Sequence, residues 1–78
     1  MNILLTSVGR RTYLIEYFKE AMQGIGRVFA SNSEYTYSLS HADEYVITPI
    51  IYDETYISFL IDYCKKNNNF VWIIVYSL

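Results

Sequence analysis

The stretch "NILLTSVGRR", residues 2–11, carries the strongest fold signal in the sequence. Residues 2–8 are mostly apolar and β-branched and lead directly into Gly9, a pattern typical of a strand that is buried on both faces of a sheet. After Gly9 the hydrophobic period changes from that of a strand to that of a helix. The stretch therefore predicts a strand, a tight turn and a helix in immediate succession, which is how a parallel α/β sheet begins.

The predicted helix covers residues 11–23, and Gly24 and Gly26 end it. Its expected buried positions are Leu14, Phe18, Ala21 and Met22. The next segment, "RVFASN" at 27–32, predicts a second strand that ends in turn-forming residues.

The rest of the chain repeats this order of strand and helix. The stretch 34–42 is ambiguous and compatible with a short helix, "EYVITP" at 44–49 predicts a third strand, and "FVWIIVYSL" at 70–78 predicts a fourth. Between them a helix is predicted at about residues 54–67, with Asp53 as its N-cap. The expected buried positions of this helix are Ile57, Leu60, Ile61 and Cys64.

These elements predict an α/β fold built as one domain over residues 1–78. The expected architecture is a small Rossmann-like parallel sheet of about four strands in the order 3-2-1-4, with helices on both faces.

Composition excludes several classes of protein. Six Lys and Arg against eight Asp and Glu give a net charge of -2, which offers no basic surface for a nucleic-acid backbone. The single Cys64 excludes a disulfide framework and is interpreted as a small apolar spacer, so a reducing, cytoplasmic location is expected. No segment approaches the roughly 18 apolar residues that cross a bilayer, so no membrane association is expected. The nine tyrosines are expected mostly to complete core faces.

Candidate ligand contacts lie in the first strand-to-helix turn. In an open parallel sheet, ligands bind at the carboxyl ends of the strands, where Ser7, Gly9, Arg10 and Arg11 are expected. Backbone N–H groups at a helix N-terminus favour anions, and either arginine could add a charge-assisted hydrogen bond. The sequence lacks both G-x-G-x-x-G and the phosphate-loop motif, so a plain structural turn is the alternative.

A second candidate pair, Asn32 and Ser33, ends the second strand. A dinucleotide-binding domain places an acidic residue there for the ribose hydroxyls, and an amide could accept the same hydrogen bonds. The alternative is a polar turn that only leads the chain away from the strand.

Metal and nucleophile chemistry find no support in the sequence. His41, Asp43 and Glu44 match no standard metal spacing, and the chain has no second histidine to complete such a site. No motif supplies Ser7 or Ser31 with a histidine base. We therefore predict no catalytic residue, no metal site and no enzymatic turnover by this chain alone.

The residues together resemble a known family. The most specific parts are "SVGRR" after the first strand, "NS" after the second, the pattern Ala-Asp-x-Tyr-Val-x-x-Pro at the third, and Tyr-Asp-x-x-Tyr before the last helix. Over residues 1–69 the chain resembles the N-terminal, pre-ATP-grasp domain of ATP-grasp ligases related to the large subunit of carbamoyl phosphate synthetase.

The resemblance implies a Rossmann-like domain whose Gly9, Arg10, Arg11 and Asn32 face a substrate cleft or an adjoining domain. It also implies that ATP and magnesium bind to later domains of the full-length enzymes, which activate a carboxylate for attack by an amine or another nucleophile. On this interpretation the chain is a non-catalytic, substrate-side module. The alternative is a stand-alone small domain that binds a nucleotide or another anion.

Residues 70–78 depart from the family pattern. One hypothesis is that a frameshift near Trp72 produced this tail, which a translation of the coding DNA in the other frames would test. A long apolar edge strand also predicts association with a second copy. The residues expected in that homo-oligomer contact are Phe70, Val71, Trp72, Ile73, Ile74, Val75 and Tyr76.

Overall fold

The computed structural model describes residues 2–67 and 70–74 of the chain. Its elements are β1 (Asn2–Thr6), α1 (Thr12–Ala21), β2 (Val28–Asn32), a 3-10 helix (Tyr37–His41), β3 (Glu44–Ile47), α2 (Tyr56–Asn67) and β4 (Phe70–Ile74). Val75 and Tyr76, which belong to the predicted oligomer contact, lie outside the described residues.

The strands form a parallel sheet. β2 lies beside β1 with Leu4 next to Phe29, and β3 lies on the other side of β2 with Ala30 next to Tyr45. This confirms the predicted α/β class with a small parallel sheet and helices. β4 runs parallel to β1, so that the strands lie in the order β3-β2-β1-β4 and β3 is one edge of the sheet.

The sheet separates two layers of core. Side chains of β1 alternate between the layers, because successive residues of a strand point to opposite faces. Leu4 packs with α2, whereas Ile3 and Leu5 pack with α1. The α1 layer contains Ile3, Leu5, Val8, Ile15, Met22, Val28, Ala30 and Leu39. The α2 layer contains Leu4, Phe29, Tyr56 and Leu60.

The buried face of α1 differs from the predicted one by a rotation of the helix. Ile15 is fully buried, Leu14 and Phe18 are only half-buried, and Ala21 is exposed. The chain then turns at Met22, and Gly24 adopts a left-handed φ of 79°. The helix ends at Ala21, two residues earlier than predicted, because Met22 is already its C-cap and the chain then turns toward the left-handed Gly24.

The buried face of α2 also differs from the prediction. Tyr56 and Leu60 are buried, but Ile57 and Ile61 are 56% and 40% exposed. Aromatic side chains take the predicted place of the isoleucines, since Phe59 and Tyr63 pack against this layer. These larger side chains reach the sheet from α2, and the two isoleucines lie on a more exposed side of the helix.

Asp53 lies in the turn before α2 and not at its N-cap. Its carboxylate accepts hydrogen bonds from the Thr55 hydroxyl at 2.6 Å and from the Thr55 backbone N–H at 2.8 Å. The first intrahelical hydrogen bond runs from the Phe59 N–H to the Thr55 carbonyl, so Thr55 occupies the capping position.

Contrary to the prediction, most tyrosines do not contribute to the core. Tyr56 is buried, but the exposed tyrosines are Tyr13, Tyr17, Tyr35, Tyr37, Tyr45 and Tyr52. A sheet of this size offers too little interior for so many rings. Within the described residues, no helix has both the length and the apolar character to cross a membrane.

Candidate functional site

The loop after β1, residues 7–11, is shaped by two left-handed residues around a buried valine. Ser7 and Gly9 both have a φ of 55°, and the Val8 side chain between them is fully buried. The Val8 N–H donates to the Ser31 carbonyl of β2 at 3.2 Å. Gly9 suits this geometry because it has no Cβ, whereas Ser7 is held in a conformation that non-glycine residues seldom adopt.

Asn32 ties this loop to the end of β2. Its Oδ1 accepts a hydrogen bond from the Gly9 N–H at 3.2 Å, and its Nδ2 donates to the Glu34 carbonyl at 3.0 Å. The oxygen and the nitrogen of the side-chain amide are thus both hydrogen-bonded within the chain. This arrangement supports a positioning role for Asn32 at the start of the β2–β3 connection.

The β2–β3 connection closes over the same loop. The Thr36 hydroxyl donates to the Gly9 carbonyl at 2.6 Å, and the hydroxyls of Thr12 and Ser38 lie 2.7 Å apart. Both backbone groups of Gly9 are therefore bonded to β2 or to the segment that follows it. The loop is fixed by tertiary contacts on each side.

The two arginines lie where α1 begins. Arg10 is exposed and Arg11 is half-buried. Arg11 is the residue before the first helical turn and makes no side-chain capping hydrogen bond, and the first turn contains no acidic residue. The positive end of the helix dipole and two guanidinium groups therefore lie together at this edge.

A groove runs between the two connections. Its first part, of about 380 Å³, is lined by Gly9, Arg10, Arg11, Asn32, Glu34 and Thr36. A second part, of about 610 Å³, is lined by Arg10, Thr12, Glu34, Tyr35, Thr36, Tyr37 and Ser38. The two parts share Arg10, Glu34 and Thr36, so cationic and anionic side chains line the same groove.

The structure brings four of the six sequence-predicted site residues to the groove, namely Gly9, Arg10, Arg11 and Asn32. Ser7 is half-buried at the start of the loop, and Ser33 is exposed next to Asn32. Neither serine is among the lining residues of the two parts.

Sequence reasoning missed Glu34 and Thr36. Both follow β2, and the carboxyl ends of parallel neighbours meet at one edge of a sheet. That topology is a signal for their position, whereas the local pattern of residues 34–42 indicates only a short helix.

The three residues considered for a metal have separate partners. His41 Nδ1 lies 2.6 Å from Glu16 Oε1, the Asp43 carboxylate accepts from the Val28 N–H at 2.7 Å, and Glu44 pairs with Arg27 at 2.8 Å. In residues 2–67 and 70–74, no group of three or more His, Cys, Asp or Glu side chains could hold a metal ion.

The side chains that line the groove favour an anionic ligand. Guanidinium groups and a helix N-terminus stabilise a carboxylate or phosphate, whereas acid–base or nucleophilic catalysis needs paired titratable groups. Ser31, the other serine considered, donates its hydroxyl to the Leu5 carbonyl at 3.2 Å in the buried sheet. That contact leaves its hydroxyl unsuited to attack a substrate.

The chain matches a known family. A family model described as PylC-like, N-terminal domain, matches residues 3–75. The match confirms the predicted resemblance to the pre-ATP-grasp domain of an ATP-grasp ligase family. A comparison with curated proteins finds no match.

Proposed function

This chain belongs to the PylC-like N-terminal domain family, and from this premise we propose that it is a non-catalytic, substrate-side module of an ATP-grasp carboxylate ligase. The proposed parent enzyme is of the carbamoyl phosphate synthetase-like type and joins a carboxylate to an amine or ammonia. The module supplies one wall of a cleft or of a domain interface. It has no turnover of its own.

One observation carries this proposal, which is the groove at the carboxyl edge of the sheet, where two arginines and one glutamate line the same surface. Arg10 and Arg11 lie beside Gly9 and Asn32, and the hydrogen bond between the Gly9 N–H and Asn32 Oδ1 holds the loop in place. A rigid loop that presents two guanidinium groups is suited to an anionic substrate group or an acidic surface of the adjoining domain.

The proposal assigns ATP and magnesium to other parts of the ligase. The one carboxylate among the groove residues, Glu34, lies beside Arg10 and Arg11, and two positive charges disfavour a divalent cation at the same place. The loop also lacks the glycine-rich phosphate motif. No step of a reaction is therefore attributed to this chain.

Three further expectations belong to the proposal. The predicted strand order 3-2-1-4 is supported by the parallel pairing of Phe70–Ile74 with β1. A cytoplasmic location follows from the expected reducing compartment. A homo-oligomer through residues 70–76 stays a prediction.

The coding DNA beyond codon 78 tests the main proposal. A reading frame for an ATP-grasp domain directly downstream, in any frame, is the expected result. Its absence would overturn the assignment to a ligase and leave the stand-alone anion-binding domain.

The exposed position of Arg10 favours that second candidate function. Nuclear magnetic resonance titrations of the chain with inorganic phosphate, acetate and ATP at low ionic strength distinguish the two. The ligase module is expected to show no saturable binding by itself. The stand-alone domain would bind, and an Arg10→Ala/Arg11→Ala double variant would lose binding while Arg27→Ala, whose arginine pairs with Glu44 away from the groove, would keep it.

A further inference from the structure

The edge strand β3 presents an open row of backbone groups. Within residues 2–67 and 70–74, β3 pairs with β2 on one side only. The Thr48 N–H points inward to the Asn32 carbonyl at 2.9 Å, and successive backbone groups of a strand alternate in direction. The N–H and C=O groups of Tyr45 and Ile47 therefore point to the open side.

The side chains on this edge are apolar and accessible. Tyr45 is 46% exposed and Ile47 is 42% exposed. Both lie on the α1 side of the sheet, because they stand beside Ala30 and Asn32 and Ala30 belongs to the α1 layer. The stretch "YVITPIIY", residues 45–52, contains no charged residue.

The edge has two of the features that hinder pairing between strand edges, since β3 is only four residues long and begins with the charged Glu44, but it lacks the others. Those others are lysines, prolines, bulges and inward-pointing charges. None of these interrupts Glu44–Ile47, and Pro49 comes only after the strand. The acidic residues at its start are engaged within the chain, since Glu44 pairs with Arg27 and Asp43 accepts from the Val28 N–H.

We propose that β3 pairs antiparallel with β3 of a second copy of this chain, about a two-fold axis that passes through Val46. In this register Val46 lies opposite Val46 of the other copy, and Tyr45 lies opposite Ile47 on the same face. Aromatic and β-branched residues are favourable cross-strand partners. The two-fold axis forms the Tyr45–Ile47 pair twice in each dimer.

Charge selects this arrangement over the other pairings. Glu44 lies opposite the uncharged Thr48, whereas parallel pairing in register would set Glu44 beside Glu44 of the second copy, which is unfavourable. An antiparallel register about Tyr45 would set Asp43 opposite Ile47 and Glu44 opposite Val46. Of these two antiparallel registers, the one about Val46 keeps Ile47 away from Asp43 and sets it opposite Tyr45 on the α1 side of the sheet.

Disulfide trapping tests the register directly. In a Cys64→Ser background, Val46→Cys places two cysteines at the axis. There the Cα atoms of a non-hydrogen-bonded pair lie about 4.5 Å apart, which is within disulfide range. Mild oxidation is expected to give a covalent dimer for Val46→Cys and little for Tyr45→Cys. Trapping through Tyr45→Cys in place of Val46→Cys, or through neither, would overturn the proposal.

Sedimentation of the full chain over a concentration series gives an independent measurement. The native chain is expected to form a dimer, and Ile47→Lys is expected to weaken it about tenfold or more, because the substitution acts at both symmetric positions. Ile57→Lys changes an isoleucine of α2 that is 56% exposed and should leave the dimer intact. Circular dichroism verifies that both variants are folded. A folded native monomer at every concentration, or a dimer that Ile47→Lys leaves unchanged, would contradict the proposal.

Discussion

The side chain of Asn32 holds the backbone of Gly9, at a distance of 3.2 Å between Oδ1 and N, across 23 residues of sequence. This hydrogen bond joins the carboxyl end of β2 to the turn after β1. The bond fixes the turn to the β2–β3 connection. The candidate groove is therefore formed by segments that follow two neighbouring strands.

Replacing Asn32 with alanine should destabilise the protein by about 1–2 kcal/mol. The change leaves the Gly9 N–H without its partner in a partly buried position and also removes the hydrogen bond to the Glu34 carbonyl. Urea unfolding of Asn32→Ala and the native chain measures the difference. Ser33→Ala is the matched control, because Ser33 is the exposed neighbour, and equal effects of the two substitutions would refute the positioning role of Asn32.

Gly9→Ala should cost about 1 kcal/mol of stability through backbone conformation alone. A Cβ at Gly9 would meet nothing within 4 Å, but its φ of 55° disfavours every residue with a side chain. Gly24, with a φ of 79° and equally open surroundings, provides the comparison. Similar free energies of unfolding for Gly9→Ala and Gly24→Ala are expected, and a much larger loss at Gly9 would show that the loop tolerates no adjustment.

The turn before α2 should give the protein an acid-sensitive contribution to stability. Hydrogen bonds from the Thr55 hydroxyl and backbone N–H lower the pKa of Asp53 below its ordinary value of 3.8. A carboxyl group with a lowered pKa in the folded state stabilises the fold above its unfolded pKa, and this contribution is lost as the pH falls through the folded pKa. The stability difference between the native chain and Asp53→Asn should therefore shrink in acid.

Unfolding at about pH 6 and about pH 3 measures this difference. Thr55→Val serves as the companion variant, because it removes the hydroxyl donor and should return the Asp53 pKa, followed by carboxyl resonances, toward its ordinary value. A difference between the native chain and Asp53→Asn that does not change with pH would disprove the assignment.

Leu60→Ala should destabilise the fold by about 2–4 kcal/mol, because it opens a cavity between α2 and the sheet. Leu60 is 2% exposed, whereas its neighbour Ile61 is 40% exposed. Ile61→Ala should therefore cost less than about 1 kcal/mol. Thermal unfolding of both variants tests which face of α2 is buried, and a larger loss for Ile61→Ala would mean that the helix buries the face predicted from the sequence spacing.

The sequence predicted the kind and order of the elements better than the faces that they bury. Strands and helices differ in hydrophobic period, and that difference is local. On α2, however, Ile57 and Tyr56 both belong to apolar stripes at helical spacing, and burial of Tyr56 depends on where Leu4 and Phe29 stand in the sheet. Spacing alone could not choose between two adjacent stripes.

The candidate site was predictable in part for the same reason. Gly9, Arg10 and Arg11 follow a recognisable strand and precede a recognisable helix, so their place at the carboxyl edge follows from local pattern. Glu34 and Thr36 reach the same groove only because parallel pairing sets the ends of β1 and β2 side by side. No local pattern in residues 33–41 signals that contact.

By itself, the sequence determined the period of each segment, the tight turn at Gly9 after β1, and the positive charge at the start of α1. These properties depend on side-chain chemistry within a few residues. Only the tertiary structure decided that Asn32 would bind Gly9 and that Tyr45 and Ile47 would stand on an open edge. Both depend on which strands lie next to each other, and that choice is made by the burial of the whole sheet between its two helical layers.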